Sequence, residues 1–233
     1  MPLEITDILL EKLLADILAD GLTGTVKDYC AWISLEGVLK YNEELIVEEA
    51  KVKAILDALK AKGYATEGKF DKNEYCIAPN ALPRRTDFLS DSYSVYGEAK
   101  YSPIQYVRSR QEHFLEYNYV SEDDIMDISI ATIEAIENAV KYGDGNVVHI
   151  DYLIDSSRTL KLNIINNIKE FDLTNEIERG KYSSNTTLMR GIMVMQKLFN
   201  HLELQIIDFQ GSLLNLLKGC LLLLIEHQII HKI

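Results

Sequence analysis

The chain has 233 residues, of which 47% are hydrophobic and 26% charged, enough for one large globular domain or two small ones. Its 36 acidic against 24 basic residues give a formal net charge of -12, which disfavours nucleic acid and anionic membranes as partners. The three cysteines, Cys30, Cys76 and Cys220, lie far apart, which argues against a disulfide framework or a zinc site.

The sequence predicts neither a targeting segment nor a membrane span. Residues 1–20 carry several acidic side chains and lack the basic region that opens a signal peptide. The most apolar stretch, residues 213–230, is interrupted by Asn215, Lys218, Glu226 and His227. We therefore expect a cytoplasmic protein in which this stretch forms a buried strand followed by a short tail.

Residues 1–82 predict three helices followed by a β-hairpin. Apolar residues recur at helical spacing over residues 5–19, and glycines follow that segment. Residues 25–35 predict a second helix, and residues 48–62 a third that stops at Gly63. Segments 64–67 and 74–77 flank a polar turn and predict the two strands of the hairpin.

This order of elements resembles a winged-helix domain, with residues 52–64 similar to its third helix and the following turn. Winged helices often read DNA, but residues 1–82 contain 9 Lys and no Arg against 15 Asp and Glu, a balance of -6. A DNA reader needs a basic face that neutralises phosphates. We therefore predict a protein-interaction role for this domain and keep DNA binding as an alternative.

Residues 83–91 contain Pro83 and the pair Arg84-Arg85, and they predict a linker. A second domain is expected over residues 92–225, with residues 226–233 as a tail. Ser121 and Asp124 form a capping-box-like pair at the start of its longest helix, which Gly143 ends. Its predicted order is strand 92–100, helices 103–117 and 121–142, strands 147–154 and 159–166, an irregular segment 167–187, helix 190–200 and a hairpin of strands 201–209 and 212–224 around Gln210-Gly211.

Helices that are segregated against a mostly antiparallel mixed sheet make an α+β sandwich, which is the fold we predict for this domain.

The candidate chemistry begins on the predicted helix 121–142. Glu134 and Asn138 are four residues apart and share one helix face, which Lys141 extends. Asparagine is unfavourable in the middle of a helix, so its presence at position 138 suggests a functional role. An amide oxygen is a suitable Mg²⁺ ligand, and a carboxylate one turn away is placed to orient a hydroxyl for phosphoryl transfer. The alternative is a solvated helix face.

The run Glu134-Ala-Ile-Glu-Asn138-Ala resembles the N-box of GHKL ATPases, the group of gyrase, a heat-shock chaperone, histidine kinases and MutL. Within that group it is most similar to the anti-sigma-factor serine/threonine kinases. The resemblance implies a GHKL (Bergerat) α/β sandwich, with ATP and Mg²⁺ as cofactors. It also implies that Asn138 ligates the metal and that Glu134 is the catalytic general base.

Two further segments bear on the resemblance. Arg190-Gly191 resembles the last glycine box of the family, where backbone N–H groups at a helix start meet phosphate, although Met189 replaces the first glycine. Asn166 and Ile168 stand where the family has an adenine-binding Asp and a Gly. Asparagine accepts a hydrogen bond without carrying charge, and a branched Ile side chain is expected to fill the space of the base.

Residues 167–187 would then form a lid over the nucleotide, in which Thr187 is a candidate phosphate contact. The alternative is a solvated loop without a ligand.

These features lead to two hypotheses. In the first, the protein is an ATP-binding regulator of the anti-sigma-factor kinase type that acts in partner-switching control of transcription. Its partners would be a sigma factor or an anti-anti-sigma factor, with a homodimer as a further option. In the second, it is a nucleotide-free pseudo-kinase of the same fold that serves as a protein-interaction module. The nucleotide-binding residues of the first hypothesis are Asn138, Lys141, Asn166, Thr187, Arg190 and Gly191.

Overall fold

The computed structural model describes residues 6–81, 89–168, 201–208 and 219–228. The chain folds into two compact units. The N-terminal unit comprises residues 1–87 and 99–114, and the C-terminal unit comprises residues 88–98 and 115–233. In the described ranges, no helix combines the length and the apolar composition that crossing a membrane requires.

The N-terminal unit begins with three helices, α1 (Asp7–Ala19), α2 (Val26–Tyr41) and α3 (Glu49–Ala61). The helix α2 starts at a capping box, in which the Thr25 side chain accepts from the Asp28 N–H and the Asp28 carboxylate accepts from the Thr25 N–H. It runs six residues beyond its predicted end at residue 35. Gly37 lies inside the helix. The chain after α2 folds back so closely that a Cβ at this position would lie 2.5 Å from the Glu43 carbonyl oxygen, which explains the glycine.

A small hairpin completes the predicted order of three helices and two strands. The strands β1 (Ala65–Glu67) and β2 (Tyr75–Ile77) pair antiparallel. An isolated bridge between Gly24 and Tyr75 adds an extended segment, located between α1 and α2, to the side of this hairpin. The Tyr29 hydroxyl, which is fully buried, donates to the carbonyl oxygens of Leu22 and Tyr75 and holds the three segments together.

Residues 99–114 pack with the N-terminal unit, although we predicted that they belong to the second domain beginning at residue 92. This segment contains most of the helix α4 (Pro103–Tyr117). Its difference from the prediction has a polar cause, because Ser102 donates to the Asp28 carboxylate and Arg110 forms an ion pair with Asp20. Bonds of this kind join residues that are far apart along the chain, so local sequence patterns do not report them.

The C-terminal unit is an α+β layer of the predicted class. Its strands are β3 (Ser90–Tyr96), β4 (Gly143–Ile154), β5 (Thr159–Ile168), β6 (His201–Asp208) and β7 (Gly219–Gln228). They form one sheet in the order β3-β4-β5-β7-β6, and each pair of neighbours is antiparallel. The helix α5 (Glu122–Tyr142) packs against β4 and β5. The expected covering of an antiparallel sheet by helices is therefore confirmed.

The last two strands, β6 and β7, pair antiparallel as far as Asp208 and Gly219. The tight turn predicted at Gln210-Gly211 lies outside the described residues. The strand β7 continues to Gln228, which pairs with Thr159, although we assigned residues 226–228 to a tail. The strand is longer than predicted because it has a hydrogen-bonded neighbour on each side. The predicted segments 167–187 and 190–200 lie outside the described residues, except for the strand residues 167 and 168.

Two glycines that follow helices provide a test of how α4 is held. Both Gly21 and Gly63 have positive φ angles, +86° and +73°, which an L side chain adopts at a cost of about 1 kcal/mol. A Cβ at Gly63 meets nothing within 4 Å, whereas one at Gly21 collides with the His113 ring of α4. We expect Gly63→Ala to lower the free energy of unfolding by about 1 kcal/mol and Gly21→Ala by about 2–4 kcal/mol, measured by chemical denaturation. Equal losses would mean that His113 does not lie against Gly21.

Candidate functional site

The helix α5 begins as its sequence predicts. The Ser121 hydroxyl accepts a hydrogen bond from the Asp124 N–H at 3.2 Å, which satisfies one of the free N–H groups of the first turn. Three acidic residues in that turn, Glu122, Asp123 and Asp124, interact favourably with the positive end of the helix dipole. The cap therefore sets where α5 begins.

One stripe of α5 is buried and nearly all apolar. It contains Ile128, Ala131, Ala135 and Ile136, together with the fully buried Thr132, whose hydroxyl donates to the Ile128 carbonyl oxygen. Because that bond lies within the helix, Thr132 is satisfied without a ligand. A helical Thr can bond to the carbonyl oxygen one turn back, which explains why this polar residue lies in the buried stripe.

Glu134 and Asn138 lie on one border of the buried stripe. At about 100° per residue, the two side chains are neighbours on the helix surface, and Asp127 lies on the same border. Asn138 is buried, with 8% relative exposure, and Glu134 is half-buried. Neither residue is fully exposed, and the nucleotide-binding hypothesis requires at least this degree of burial.

Asn166 is a buried polar residue on the sheet. Alternate residues of β5, Leu160, Leu162 and Ile164, are buried, and Asn166 continues this row with 4% relative exposure. It pairs with Val148 of β4, which is also buried. Asn166 therefore lies on the buried face of the sheet, at the end of an otherwise apolar row.

Asn138 and Asn166 belong to the same end of the helix–sheet layer. The helix α5 ends at Tyr142, β4 begins at the next residue, and Gly143 pairs with Ile168 at the end of β5. The last turns of α5 therefore lie over the end of the sheet at which β5 ends. Two buried asparagines thus come from distant parts of the sequence to one end of the same layer.

The backbone near Ile168 departs from the loop that we expected after residue 166. The strand β5 continues to Ile168, and a register shift separates the pair Gly143–Ile168 from the pair Val148–Asn166. Ile168 is thus extended at the position where the resembled family has a glycine. No positive φ is found for it, while four other non-glycine residues of the described chain have one.

The remaining predicted residues are not placed. The side chain of Lys141 and all of Thr187, Arg190 and Gly191 lie outside the described part of the chain. Their phosphate contacts stay predictions. Of the predicted site residues, the structure brings Glu134, Asn138 and Asn166 into one helix–sheet layer.

The residues that are described fit a magnesium–phosphate group in their donor chemistry. Magnesium prefers oxygen ligands and commonly keeps several waters, with one or two protein ligands and phosphates completing the shell. Asn138 supplies a neutral amide oxygen, and Glu134 supplies a carboxylate one turn away on the same border. Across the described ranges, no group of three or more His, Cys, Asp or Glu side chains is arranged to hold a metal ion.

Comparisons with solved structures give several similarities, among them the two that follow. No family model matches the chain, and no curated protein matches it. The RsbU and RsbW domains of Rv1364c from Mycobacterium tuberculosis are similar at 13% identity and a TM-score of 0.43, over 67% of this chain and 35% of that one. The histidine kinase domain of the Erythrobacter litoralis EL346 blue-light activated histidine kinase is similar at 13% identity and a TM-score of 0.30, over 94% and 93% of the two chains. Neither similarity assigns a function.

If Asn138 serves a functional role, this buried asparagine should contribute little to the free energy of unfolding. We expect Asn138→Leu to leave the free energy of unfolding unchanged or to raise it by about 0.5 kcal/mol, because leucine is the better helix former. The control Ile136→Ala, in the fully buried part of the stripe, should cost about 2–5 kcal/mol. Both values come from chemical denaturation. A loss of more than about 1 kcal/mol for Asn138→Leu would instead give Asn138 a structural role.

Proposed function

We propose that the C-terminal unit is a GHKL-type domain that binds ATP and Mg²⁺, and that the protein is a regulator of the anti-sigma-factor serine/threonine kinase type. The observation that carries the proposal is the burial of Asn138 beside the half-buried Glu134, at the end of the layer that also holds Asn166. A solvated helix face, the alternative explanation of the motif, would leave these side chains exposed.

The order of elements along the chain from β3 onwards supports the same proposal. A strand and two helices precede two long antiparallel strands, and two further antiparallel strands follow. The long strands β4 and β5 lie beneath α5, the helix that carries the N-box-like motif. This is the arrangement that the GHKL resemblance implies for a Bergerat sandwich.

Each residue has a distinct role in this proposal. Asn138 ligates Mg²⁺, and Glu134 acts as the general base that accepts the proton of an attacking Ser or Thr hydroxyl. Lys141, Thr187, Arg190 and Gly191 contact the phosphates, and Asn166 accepts the amino group of the base. The phosphorylated protein would be an antagonist in a partner switch, with a sigma factor as second partner, a homodimeric assembly and a cytoplasmic location.

A nucleotide-free interaction module is the second candidate, and the backbone at Ile168 favours it. A glycine at this position permits close approach of a base, whereas an extended Ile is held in the ladder opposite Gly143. In this alternative the fold is kept, and the protein acts through its surfaces alone.

The N-terminal unit is proposed as a winged-helix-like protein-interaction domain. The order of α1, the Gly24 bridge, α2, α3 and the hairpin supports this assignment. All four lysines of α3 and its C-cap are paired with carboxylates, which leaves little free positive charge for phosphates. The ion pairs are Lys51–Asp7, Lys53–Asp57, Lys60–Glu67 and Lys62–Glu11.

Calorimetry with Mg-ATP tests the nucleotide proposal. We expect micromolar binding to the full chain, and a loss of at least about tenfold in affinity for Asn138→Ala because the metal loses its protein oxygen. Glu134→Gln should retain binding but lower phosphoryl transfer to a partner by about 10²–10⁴-fold, the usual worth of a general base. The matched control is Glu137→Gln on the exposed face of α5, which should change neither quantity.

The outcomes separate the two candidates. Absence of binding at millimolar Mg-ATP contradicts the kinase-like regulator and leaves the nucleotide-free module. Binding that survives Asn138→Ala would place the nucleotide elsewhere, since the proposed site then plays no part.

A DNA retardation assay at low salt addresses the role of the N-terminal unit. We expect no shift of duplex DNA by the full chain, because α3 is neutralised by its carboxylate partners and the protein carries a net charge of -12. A salt-sensitive shift that Lys53→Ala and Lys60→Ala weaken would establish DNA binding instead.

A further inference from the structure

The start of α4 is fixed to α2 by a shared carboxylate. Ser102, the residue before α4, has a φ of 49°, a left-handed conformation that a non-glycine residue rarely adopts. Its hydroxyl donates to Asp28 Oδ1 at 2.7 Å, and the other oxygen of Asp28 accepts from the Thr25 N–H at 2.9 Å. The indole N–H of Trp32 donates to the Ser102 carbonyl oxygen at 3.5 Å. The cap of α2 thus also positions Ser102, the residue that precedes α4.

The body of α4 is held by one aromatic and two polar contacts. The rings of Tyr106 and Trp32 meet edge to face, with centroids 5.8 Å apart, and burial raises the pKa of Tyr106 to about 12. Arg110, whose side chain is only 11% exposed, donates to Asp20 Oδ2 at 3.1 Å and to the Tyr106 hydroxyl oxygen at 3.3 Å. The ring contact joins α4 to the middle of α2, and the ion pair joins it to the end of α1.

One more hydrogen bond joins α4 to the segment that precedes α2. The Gln105 amide donates to the Thr23 carbonyl oxygen at 2.8 Å. Together with the packing of His113 against Gly21, it attaches α4 to the N-terminal unit along three successive turns.

The far end of α4 leads into α5 by a short and closely bonded turn. The Val120 N–H donates to the Leu115 carbonyl oxygen at 3.1 Å, and the Tyr119 N–H donates to the Glu116 carbonyl oxygen at 3.0 Å, which is a Schellman ending. Tyr119 takes the left-handed position, with a φ of 56°. Leu115 and Val120 are both buried, which is common for the two apolar positions of this motif.

The same turn is anchored from the sheet of the C-terminal unit. Arg158, in the turn between β4 and β5, donates to the Asn118 carbonyl oxygen at 2.8 Å. Ser121, which caps α5, follows Val120 directly. Because this turn is short and hydrogen-bonded, we expect a displacement of the end of α4 to move the start of α5 as well.

We propose that α4 is the element through which the N-terminal unit regulates α5, the helix that carries Glu134 and Asn138. A protein partner that loosens the contacts of α4 in the N-terminal unit would loosen the start of α5 through the Leu115–Ser121 turn. The consequence for nucleotide affinity rests on the proposed function, but the mechanical coupling between the helices does not.

Two arginines of α4 provide the test, because they are two residues apart and their ion pairs differ, although Arg108 also has a longer-range electrostatic interaction with Glu74. Arg110 pairs with Asp20 outside the helix, whereas Arg108 pairs with Glu112 on α4 itself, at 3.0 Å and with side chains 43% and 33% exposed. Backbone hydrogen–deuterium exchange of the full chain without nucleotide is the measurement. We expect Arg110→Gln to raise exchange about tenfold in residues 103–117 and about threefold in residues 121–128, and Arg108→Gln to leave both within about twofold.

Exchange that rises only in residues 103–117 of Arg110→Gln overturns the proposal, as does an equal effect of Arg108→Gln. If Arg110→Gln does not fold, Gln105→Ala, which removes the bond to Thr23, is judged by the same criteria. Mg-ATP calorimetry on the same variants separates a failure of the proposed function from a failure of the coupling between α4 and α5. No binding by the unaltered chain contradicts the proposed function alone, while the exchange result still decides whether α4 transmits to α5.

Discussion

The packing of α5 on β4 and β5 is the constraint on which the rest of the C-terminal unit depends. An isolated helix gains little stability in water, so a helix of 21 residues needs its apolar stripe covered. Each fully buried isoleucine, such as Ile128 or Ile136, contributes about 1.5–3 kcal/mol by leaving water. The matching row on β4, Val148, Ile150, Tyr152 and Ile154, is buried as well. Once this layer forms, the direction of every other side chain on α5 is set.

The same layer limits which polar residues its borders accept. Burying a charge without a partner costs far more than burying a hydrogen-bonding amide. Asn138 and Asn166 are neutral, and the one acidic residue of the motif that lies on this border, Glu134, keeps partial access to water. A carboxylate at position 166, on the buried face opposite Val148, would cost more to desolvate than the neutral asparagine does.

The sequence predicted the class of fold and most elements because periodicity and caps are local signals. The start of α5 at Ser121 and the glycine endings of α1 and α3 were placed correctly. The grouping of residues 99–114 and the extent of β7 were not, because they depend on contacts between distant segments. For the candidate site, the spacing of Glu134 and Asn138 predicted a shared face. Only the structure shows that this face borders the core, and the phosphate-contacting residues stay predictions.

Asp28 shows why the two halves of this chain are harder to separate than the sequence suggests. In the sequence around it, Asp28 is one residue of a capping box, and its pairing with Thr25 is a sufficient reason for an aspartate at this position. In the structure its second oxygen accepts from Ser102, so one carboxylate satisfies the start of α2 and also fixes the start of α4. A cut at the predicted linker would leave Asp28 and Asp20 without Ser102 and Arg110, two partners that come from beyond it. The N-terminal unit therefore includes most of α4, the helix that precedes α5 along the chain.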